Sequence, residues 1–323
     1  MMAIWWLSEA LPMALTACVP LLLFPLLGVF GEGLAGDTTK TIEPFLDAYI
    51  FLFLGGMAIG AAMEQTRLHR RVALLIMRAI GTDPKRLLLG MLVSTASISM
   101  WISNTATAVM MVPIGMAILA QLEAAMGGKR LTHFGGAIML AIAYAANIGG
   151  IGTKIGTGTN SIFAGYVAEH MHIDIGFLAF MALGVPFVVM FLPIVWLALW
   201  QLAKKDAPDE REAKRTLEAE LARMGAMTAA EKKVAAVFVT AALLWMAGDP
   251  IRDAISPLVP AFWEGFKMKG KHYEAWVAMA AALALITMGT LSLASIKRLP
   301  WGTLVLLGGS FAMASGIEGS GLS

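Results

Sequence analysis

One polar stretch within apolar sequence constrains this chain more than any other feature. Residues 94–113 read STASISMWISNTATAVMMVP, centred on Ser103-Asn104-Thr105, and contain no charged side chain. Thr95, Ser99 and Ser103 recur every four residues and would share one face of a helix. Small polar side chains are costly inside a membrane unless they bind something or line a cavity, although serine and threonine also pack between helices. The stretch therefore indicates a binding site or a helix interface.

The composition is that of a polytopic membrane protein. The 323 residues are 58% hydrophobic and 14% charged, with a mean hydropathy of +0.74, whereas soluble domains usually carry roughly a quarter charged residues. Cys18 is the only cysteine, which excludes an intrachain disulfide and disfavours a cysteine metal site. The basic segments lack aromatic interleaving, so we expect no nucleic-acid partner.

The apolar segments predict an all-α membrane fold. We expect spans over residues 3–30, 44–63, 175–203, 234–248, 275–293 and from 299 onward. Between them we expect a polar loop over 31–43, an amphipathic surface helix over 67–81, a solvated amphipathic linker helix within 206–233 and an irregular loop over 249–274. We expect the protein in the plasma (inner) membrane. The positive-inside bias then places the basic clusters in the cytoplasm, and these are 67–71, 85–86, 129–130, 204–233 and 297–298.

Two segments predict irregular backbone within the membrane. Two apolar limbs between Lys85-Arg86 and Lys129-Arg130 meet at Ser103-Asn104-Thr105 without a hydrophilic loop, which favours a re-entrant hairpin with a buried tip. The run NIGGIGTKIGTGTN, residues 147–160, is too rich in glycine for a good helix. It predicts an unwound membrane helix, with a plain loop between two shorter helices as the alternative. An unwound helix exposes carbonyls to a cation and N–H groups to an anion.

An internal similarity predicts an inverted repeat. Leu54-Gly55-Gly56 runs on to Glu64 and Leu68, and a similar pattern links 307–309 to 318 and 322 in the opposite expected orientation. A counterpart of the Ser-Asn-Thr motif would lie beyond the last residue, so we expect a truncated chain. The expected domains are 1–203, the first repeat with its scaffold helices, surface helix, hairpin and broken helix; 204–233, a cytoplasmic amphipathic linker; and 234–323, an incomplete second repeat without its hairpin.

Four segments together resemble the divalent-anion:sodium symporter family, the sodium–dicarboxylate and sodium–sulfate cotransporters. They are WWLSEALPMALTACVPLLLFPLLGV, LFLGGMAIGAAMEQTRLHRRVAL, SISMWISNTATAVMMVPI and NIGGIGTKIGTGTNSIFAG. The Ser-Asn-Thr hairpin is the specific signal. The resemblance covers nearly all of the chain, but the second Ser-Asn-Thr motif of a full member is not in this sequence.

The resemblance implies a role for individual residues. Sodium would be bound by Ser99, Ser103, Asn104 and the Gly152 carbonyl. A substrate carboxylate would be bound by Asn104 and Thr105, with Thr153 nearby. The supporting loop residues would be Gly149, Gly150, Gly156, Thr157 and Asn160. Two departures are Thr159, where many members have proline, and Lys154 in the unwound segment.

The resemblance also implies a mechanism. We expect a sodium-coupled importer of a C4-dicarboxylate such as succinate, with Na+ as co-transported ion, no organic cofactor, surrounding membrane lipid and a homodimer formed through scaffold helices. The hairpins would move with the substrate, as in an elevator. A sodium-independent dicarboxylate exchanger and a sodium:sulfate symporter stay open. Lys154 is a possible counter-charge that would favour exchange, but we expect it to extend to the cytoplasmic surface instead.

Two other function classes are weaker. A membrane enzyme would need buried acid–base or metal-ligand pairs, and the five histidines lie at segment ends: His69, His133, His170, His172 and His272. We therefore expect no enzyme. A membrane scaffold without transport activity is a further alternative for a chain that carries half of one site.

Overall fold

The computed structural model describes residues 2–248 and 270–321. Over these residues the chain is helical and contains no strand. The helices are α1 Met2–Ser8, α2 Met13–Ala17, α3 Val19–Leu27, α4 Gly33–Ile42, α5 Ala48–Gln65, α6 Leu68–Ile80, α7 Pro84–Ser99, α8 Asn104–Ala125, α9 Thr132–Gly150, α10 Gly158–His170, α11 Phe177–Ala203, α12 Glu210–Met224, α13 Ala229–Met246, α14 Gly270–Thr287, α15 Leu293–Lys297 and α16 Trp301–Gly319.

The N-terminal apolar segment is not one continuous helix. The expected span over residues 3–30 is divided into α1, α2 and α3. Glu9 has a positive φ of 50°, and Pro12 precedes α2 as its N-cap. Proline has no N–H group for a helical hydrogen bond, so a helix cannot run through this turn undisturbed. The expected span is therefore interrupted near its start, at Glu9 and Pro12, and again before α3.

The segment expected to be a polar loop is mostly helical. Residues 31–43 contain α4, followed by a 3-10 turn, Glu43–Leu46. The buried Asp37 carboxylate accepts hydrogen bonds from the backbone N–H groups of Phe30 and Glu32, at 3.2 and 2.9 Å. This carboxylate satisfies backbone groups at the start of the helix, which composition alone did not indicate.

Helix α5 forms the centre of the packing through three glycines. A Cβ at Gly55 would overlap the backbone of Ala278 in α14, so these two helices approach closely. Gly56 and Gly60, which are four residues apart, face Ile155 and Ile102, at 3.3 and 3.0 Å from an added Cβ. Both contacts are with side chains of non-helical segments, so this pair makes room for the two breaks rather than for a neighbouring helix. Through it, α5 contacts both segments predicted to be irregular.

The two irregular segments are present as breaks between helices. Residues 100–103 separate α7 from α8, and 151–157 separate α9 from α10. Helix α9 packs against α7, α8 and α11, whereas α10 packs against α5 and α16. The break that the glycines predicted is present but shorter than the expected 147–160, because 147–150 complete α9 and 158–160 begin α10; the two halves have different neighbours.

Among the described residues, three segments are long and apolar enough to cross a membrane, judged by length and composition. They are Gly33–Gln65, Asn104–Ala125 and Phe177–Ala203. Helix α14 begins inside the expected irregular loop, so residues 270–274 are helical; the rest of that loop lies outside the described residues.

The linker helix α12 has one face buried against the protein and the other face exposed. Leu217 is fully buried and the Glu220 side chain is 2% exposed. The Glu220 carboxylate accepts hydrogen bonds from Arg70 of α6, Gln121 of α8 and Arg223 of its own helix. Burial raises the pKa of Glu220, but the hydrogen bonds and positive charges outweigh it, and the pKa lies below its ordinary value. The amphipathic helix expected within 206–233 is present, and what the sequence did not indicate is that its Glu220 has partners on α6 and α8.

Candidate ion and substrate site

The break after α7 and the break after α9 lie against each other. The buried Thr153 hydroxyl donates to the Met100 carbonyl, and an added Cβ at Gly152 would lie 2.9 Å from the Met100 side chain. The Asn160 amide donates to the carbonyls of Gly150 and Thr153, at 2.8 and 2.7 Å. The structure thus brings together two segments about fifty residues apart, as the site predicted from the sequence requires.

A group of uncharged oxygens surrounds the Asn104 amide. One end of this amide lies 3.0 Å from Ser99 Oγ, 3.0 Å from the Ala146 carbonyl oxygen and 3.3 Å from the Gly156 carbonyl oxygen. Its other end lies 3.2 Å from Asn147 Oδ1. Ser99 is fully buried and its hydroxyl also donates to the Ala146 carbonyl at 2.6 Å.

The orientation of this amide decides what the group can hold. With its nitrogen towards Ala146 and Gly156, Asn104 donates to both carbonyls. With its oxygen towards Ala146 and Gly156, the Asn104 side-chain oxygen lies beside Ser99 Oγ and the two carbonyl oxygens, which makes a group of four neutral oxygens. The two carbonyls then receive no hydrogen bond from the Asn104 nitrogen. A hard monovalent cation is a chemically suitable partner for such a set, because oxygen is the ligand that hard cations prefer.

Three glycines allow these groups to meet. An added Cβ at Gly149 would overlap the backbone of Ala96, and one at Gly150 would overlap the Asn104 amide. An added Cβ at Gly156 would overlap the Gly150 backbone. These positions explain why the end of α9 and the break after it are rich in glycine, because at each of them a backbone approaches another backbone or the amide closely.

The remaining predicted residues lie at two helix N-termini. Ser103 is half-buried and occupies the N-cap position of α8, while Thr105 is exposed in its first turn. Thr157 is the half-buried N-cap of α10, and its hydroxyl lies 3.3 Å from that of Thr159. The first N–H groups of a helix have no acceptor within the helix and favour negative charge. Both breaks therefore present groups suited to an anion.

A cavity opens beside the α7–α8 break. It has a volume of about 370 Å³ and is bordered by Ser103 and Ala106 of this region, by Gly60 and Glu64 of α5, and by Arg298 after α15. Its walls combine apolar and polar side chains, and of the predicted sodium ligands only Ser103 lines it.

Lys154 is buried and paired, which overturns one expectation. Its side chain is 0% exposed, and its ammonium donates to both carboxylate oxygens of Glu274 in α14, at 2.9 and 2.8 Å. It also lies 5.6 Å from the centre of the Tyr49 ring. The expectation that Lys154 reaches the cytoplasmic surface was wrong, because a buried carboxylate and an aromatic ring provide partners inside the protein.

Nearly the whole sequence matches a known protein family. Residues 3–323 match the family model described as citrate transporter. The chain belongs to the citrate transporter family. This agrees with the expected relationship to sodium–dicarboxylate and related cotransporters.

Individual relatives have informative names. The chain is 33% identical over 358 residues to the sodium-dependent high-affinity dicarboxylate transporter 3 of Caenorhabditis elegans, covering 99% of this chain and 60% of that protein. It is 34% identical over 335 residues to the sodium-dependent dicarboxylate transporter SdcS of Staphylococcus aureus (strain USA300), covering 99% and 61%. The chain therefore spans about three fifths of the length of these curated relatives.

Sequence reasoning missed three residues of this family member's site region. Ala146 and Asn147 lie next to the Asn104 amide, and Glu274 pairs with Lys154. Asn147 opens the glycine-rich run and was a visible signal. Ala146 contributes only its carbonyl, and Glu274 is distant along the chain, so neither could be identified from local pattern.

Proposed function

We propose that the full-length protein couples sodium to the uptake of a divalent anion, most simply a C4-dicarboxylate such as succinate. The observation that carries this proposal is the convergence of Ser99, Asn104, Ala146 and Gly156 oxygens at the meeting of two helix breaks. The names of the relatives support the same chemistry, since both describe sodium-dependent dicarboxylate transporters.

Sodium would be held by uncharged oxygens. Ser99 Oγ, the Asn104 side-chain oxygen and the carbonyls of Ala146 and Gly156 form the core of the proposed ligand set. Ser103, which is adjacent to Asn104, and the Gly152 carbonyl stay as predicted ligands. A neutral set keeps the positive charge of the ion uncompensated by protein carboxylates, and that charge is then available to an anion.

The anion would be bound at the start of α8. Asn104 and Thr105 lie in its first turn, where free N–H groups and the helix dipole favour a carboxylate. The Thr153 hydroxyl is engaged with Met100, so we assign Thr153 to joining the two breaks, and its direct contact with substrate stays a prediction. Because bound sodium lowers the cost of the dianion, each ligand raises the affinity for the other.

The proposal extends to the topology of the chain, its movement during transport and its oligomeric state. We infer a re-entrant hairpin from α7 and α8, an inverted repeat relating α5 to α16, an elevator-type movement, and a homodimer in the inner membrane with residues 204–233 in the cytoplasm. Both repeat helices make close contacts through their paired glycines. In α5, Gly55 lies against Ala278 of α14; in α16, Gly308 lies against Phe45 and Gly309 against Ala17. Close contacts at glycines in matching positions of the two helices support the repeat, although the partner segments differ.

Sodium-independent dicarboxylate exchange is the second candidate function. In the sequence, the residue that favoured it was Lys154, whose positive charge could replace sodium. Since Glu274 neutralises the Lys154 ammonium, this lysine has no free charge to replace sodium beside a dianion. The structure gives sulfate no separate support, and the relatives named above are dicarboxylate transporters.

The test is uptake by vesicles that contain the full-length protein. We expect labelled succinate to accumulate with an inward sodium gradient and to be outcompeted by other C4-dicarboxylates. Sodium-insensitive exchange of internal for external succinate would replace the symport proposal, and accumulation of sulfate alone would change the substrate class.

A further inference from the structure

The unwound segment is held at three successive residues by three different elements. Thr153 bonds to the Met100 carbonyl in the α7–α8 break, Lys154 pairs with Glu274 of α14, and Ile155 packs on Gly56 of α5. The next residue is Gly156, whose carbonyl faces the Asn104 amide. The backbone that carries this carbonyl is therefore anchored immediately before it.

The Glu274 side of the anchor is rigid. Its backbone carbonyl accepts a 3.0 Å hydrogen bond from the Trp245 indole of α13, and the Gly55–Ala278 contact lies one turn further along α14. The carboxylate is 4% exposed and meets Lys154 with both oxygens. A charged, two-point contact to a fixed helix specifies the position of a loop more narrowly than an apolar contact does.

We propose that Lys154 and Glu274 are a positioning pair, which places the Gly156 carbonyl for sodium binding without touching the ion or the substrate. This inference rests on the proposed sodium-coupled function. A positioning role and a purely structural role predict different results. If the pair positions the carbonyl, its loss weakens sodium binding, while the assembled protein keeps its maximal rate of uptake.

The test variant removes both charges together. Lys154→Met with Glu274→Gln leaves no unpaired buried charge, unlike either single change. The control is Lys271→Met with Asp47→Asn, which removes a 2.7 Å ion pair whose lysine lies over the same Tyr49 ring, also at 5.6 Å. The control pair borders a different cavity, which is lined by no residue of the unwound segment.

The first measurement is independent of transport. In the full-length protein with Cys18→Ala, an Ile155→Cys substitution places a single thiol on the anchored segment of this chain, at a site that is 3% exposed. We expect maleimide to label this introduced thiol at least about tenfold faster in the doubly neutral variant, since labelling follows the open fraction of a buried segment. The control variant should label at the original rate. Equal rates in all three proteins would overturn the inference.

The second measurement separates positioning from folding. We expect the sodium concentration for half-maximal uptake to rise about tenfold in Lys154→Met/Glu274→Gln, with a maximal rate within about twofold, and to stay unchanged in the control. An unchanged sodium requirement would overturn the inference. If the wild type itself takes up succinate without regard to sodium, the proposed function fails, while the labelling comparison still decides whether the pair holds the segment.

A conservative variant provides the test if the doubly neutral protein is obtained in too small an amount to measure. Glu274→Asp keeps both charges and shortens the carboxylate arm by one methylene. Faster labelling of the thiol introduced by Ile155→Cys, together with a higher sodium requirement, supports positioning; unaltered values for both refute it.

Discussion

The contact between Gly150 and the Asn104 amide offers the sharpest test of the proposed ion site. A Cβ at residue 150 would overlap the amide oxygen and lie 2.9 Å from Cγ and 3.0 Å from Nδ2 of Asn104. Ordinary contact begins at 3.4 Å, so Cγ alone must retreat by about 0.5 Å and the amide end by more. That movement takes the amide away from Ser99 and from the carbonyls of Ala146 and Gly156.

The change in folding stability caused by Gly150→Ala is the sum of two opposing effects. Alanine favours the helix over glycine by up to about 1 kcal/mol, whereas overpacking costs about 1–3 kcal/mol. The net change in stability is therefore small, but the strain falls on the amide that we assign to sodium. A loss of about 1–3 kcal/mol in coupling energy corresponds to roughly 5- to 150-fold. We expect Gly150→Ala to raise the half-saturating sodium concentration at least about fivefold.

Gly136→Ala is the matched control. It makes the same substitution in the same helix, α9, at a position where an added Cβ meets nothing within 4 Å. The assay is sodium-dependent uptake of labelled succinate by vesicles with the full-length protein, with thermal unfolding measured in parallel. The control should keep the wild-type sodium dependence and equal or greater stability. If Gly150→Ala also kept the wild-type sodium dependence, the assignment of Asn104 to sodium would be refuted.

Three other changes test separate parts of the structure. Asn104→Ala should abolish sodium-stimulated accumulation of succinate in the same vesicles, because it removes the central ligand; undiminished flux would contradict the site. Gly55→Ala should destabilise the protein by about 1–3 kcal/mol in thermal unfolding, because its Cβ meets the backbone of Ala278 rather than a movable side chain, and unchanged stability would show that α5 and α14 can separate freely. The lowered pKa of Glu220 means that its stabilising effect is complete above the unfolded-state pKa of about 4.3 and is lost as the pH falls through the lower folded value. The protection of the α12 amides, expressed as the ratio of the intrinsic exchange rate at each pH to the observed rate, should therefore fall on acidification, and Glu220→Gln should remove most of this pH dependence.

The sequence predicted the irregular segments better than it predicted the connections. Small polar residues at 103–105 and glycines at 149–156 are locally incompatible with an ordinary apolar helix, so their position could be recognised without a structure. The helix Gly33–Ile42 lies where a loop was expected, and for the expected helix Glu210–Met224 the sequence did not indicate the contacts with α6 and α8. Asp37 and Glu220 show this, since each is buried against groups that local periodicity does not reveal.

Sequence alone determined that this chain is helical and membrane-embedded, that two breaks interrupt its apolar helices, and that the uncharged side chains at those breaks suit an ion and an anion. Only the tertiary structure decided that the breaks meet, that the Ala146 and Gly156 carbonyls face Asn104, and that Lys154 is neutralised by Glu274. The physical reason is that composition and periodicity report what each segment needs to bury or hydrogen-bond, whereas backbone carbonyls and ion pairs between distant residues acquire a role only when packing brings their partners together.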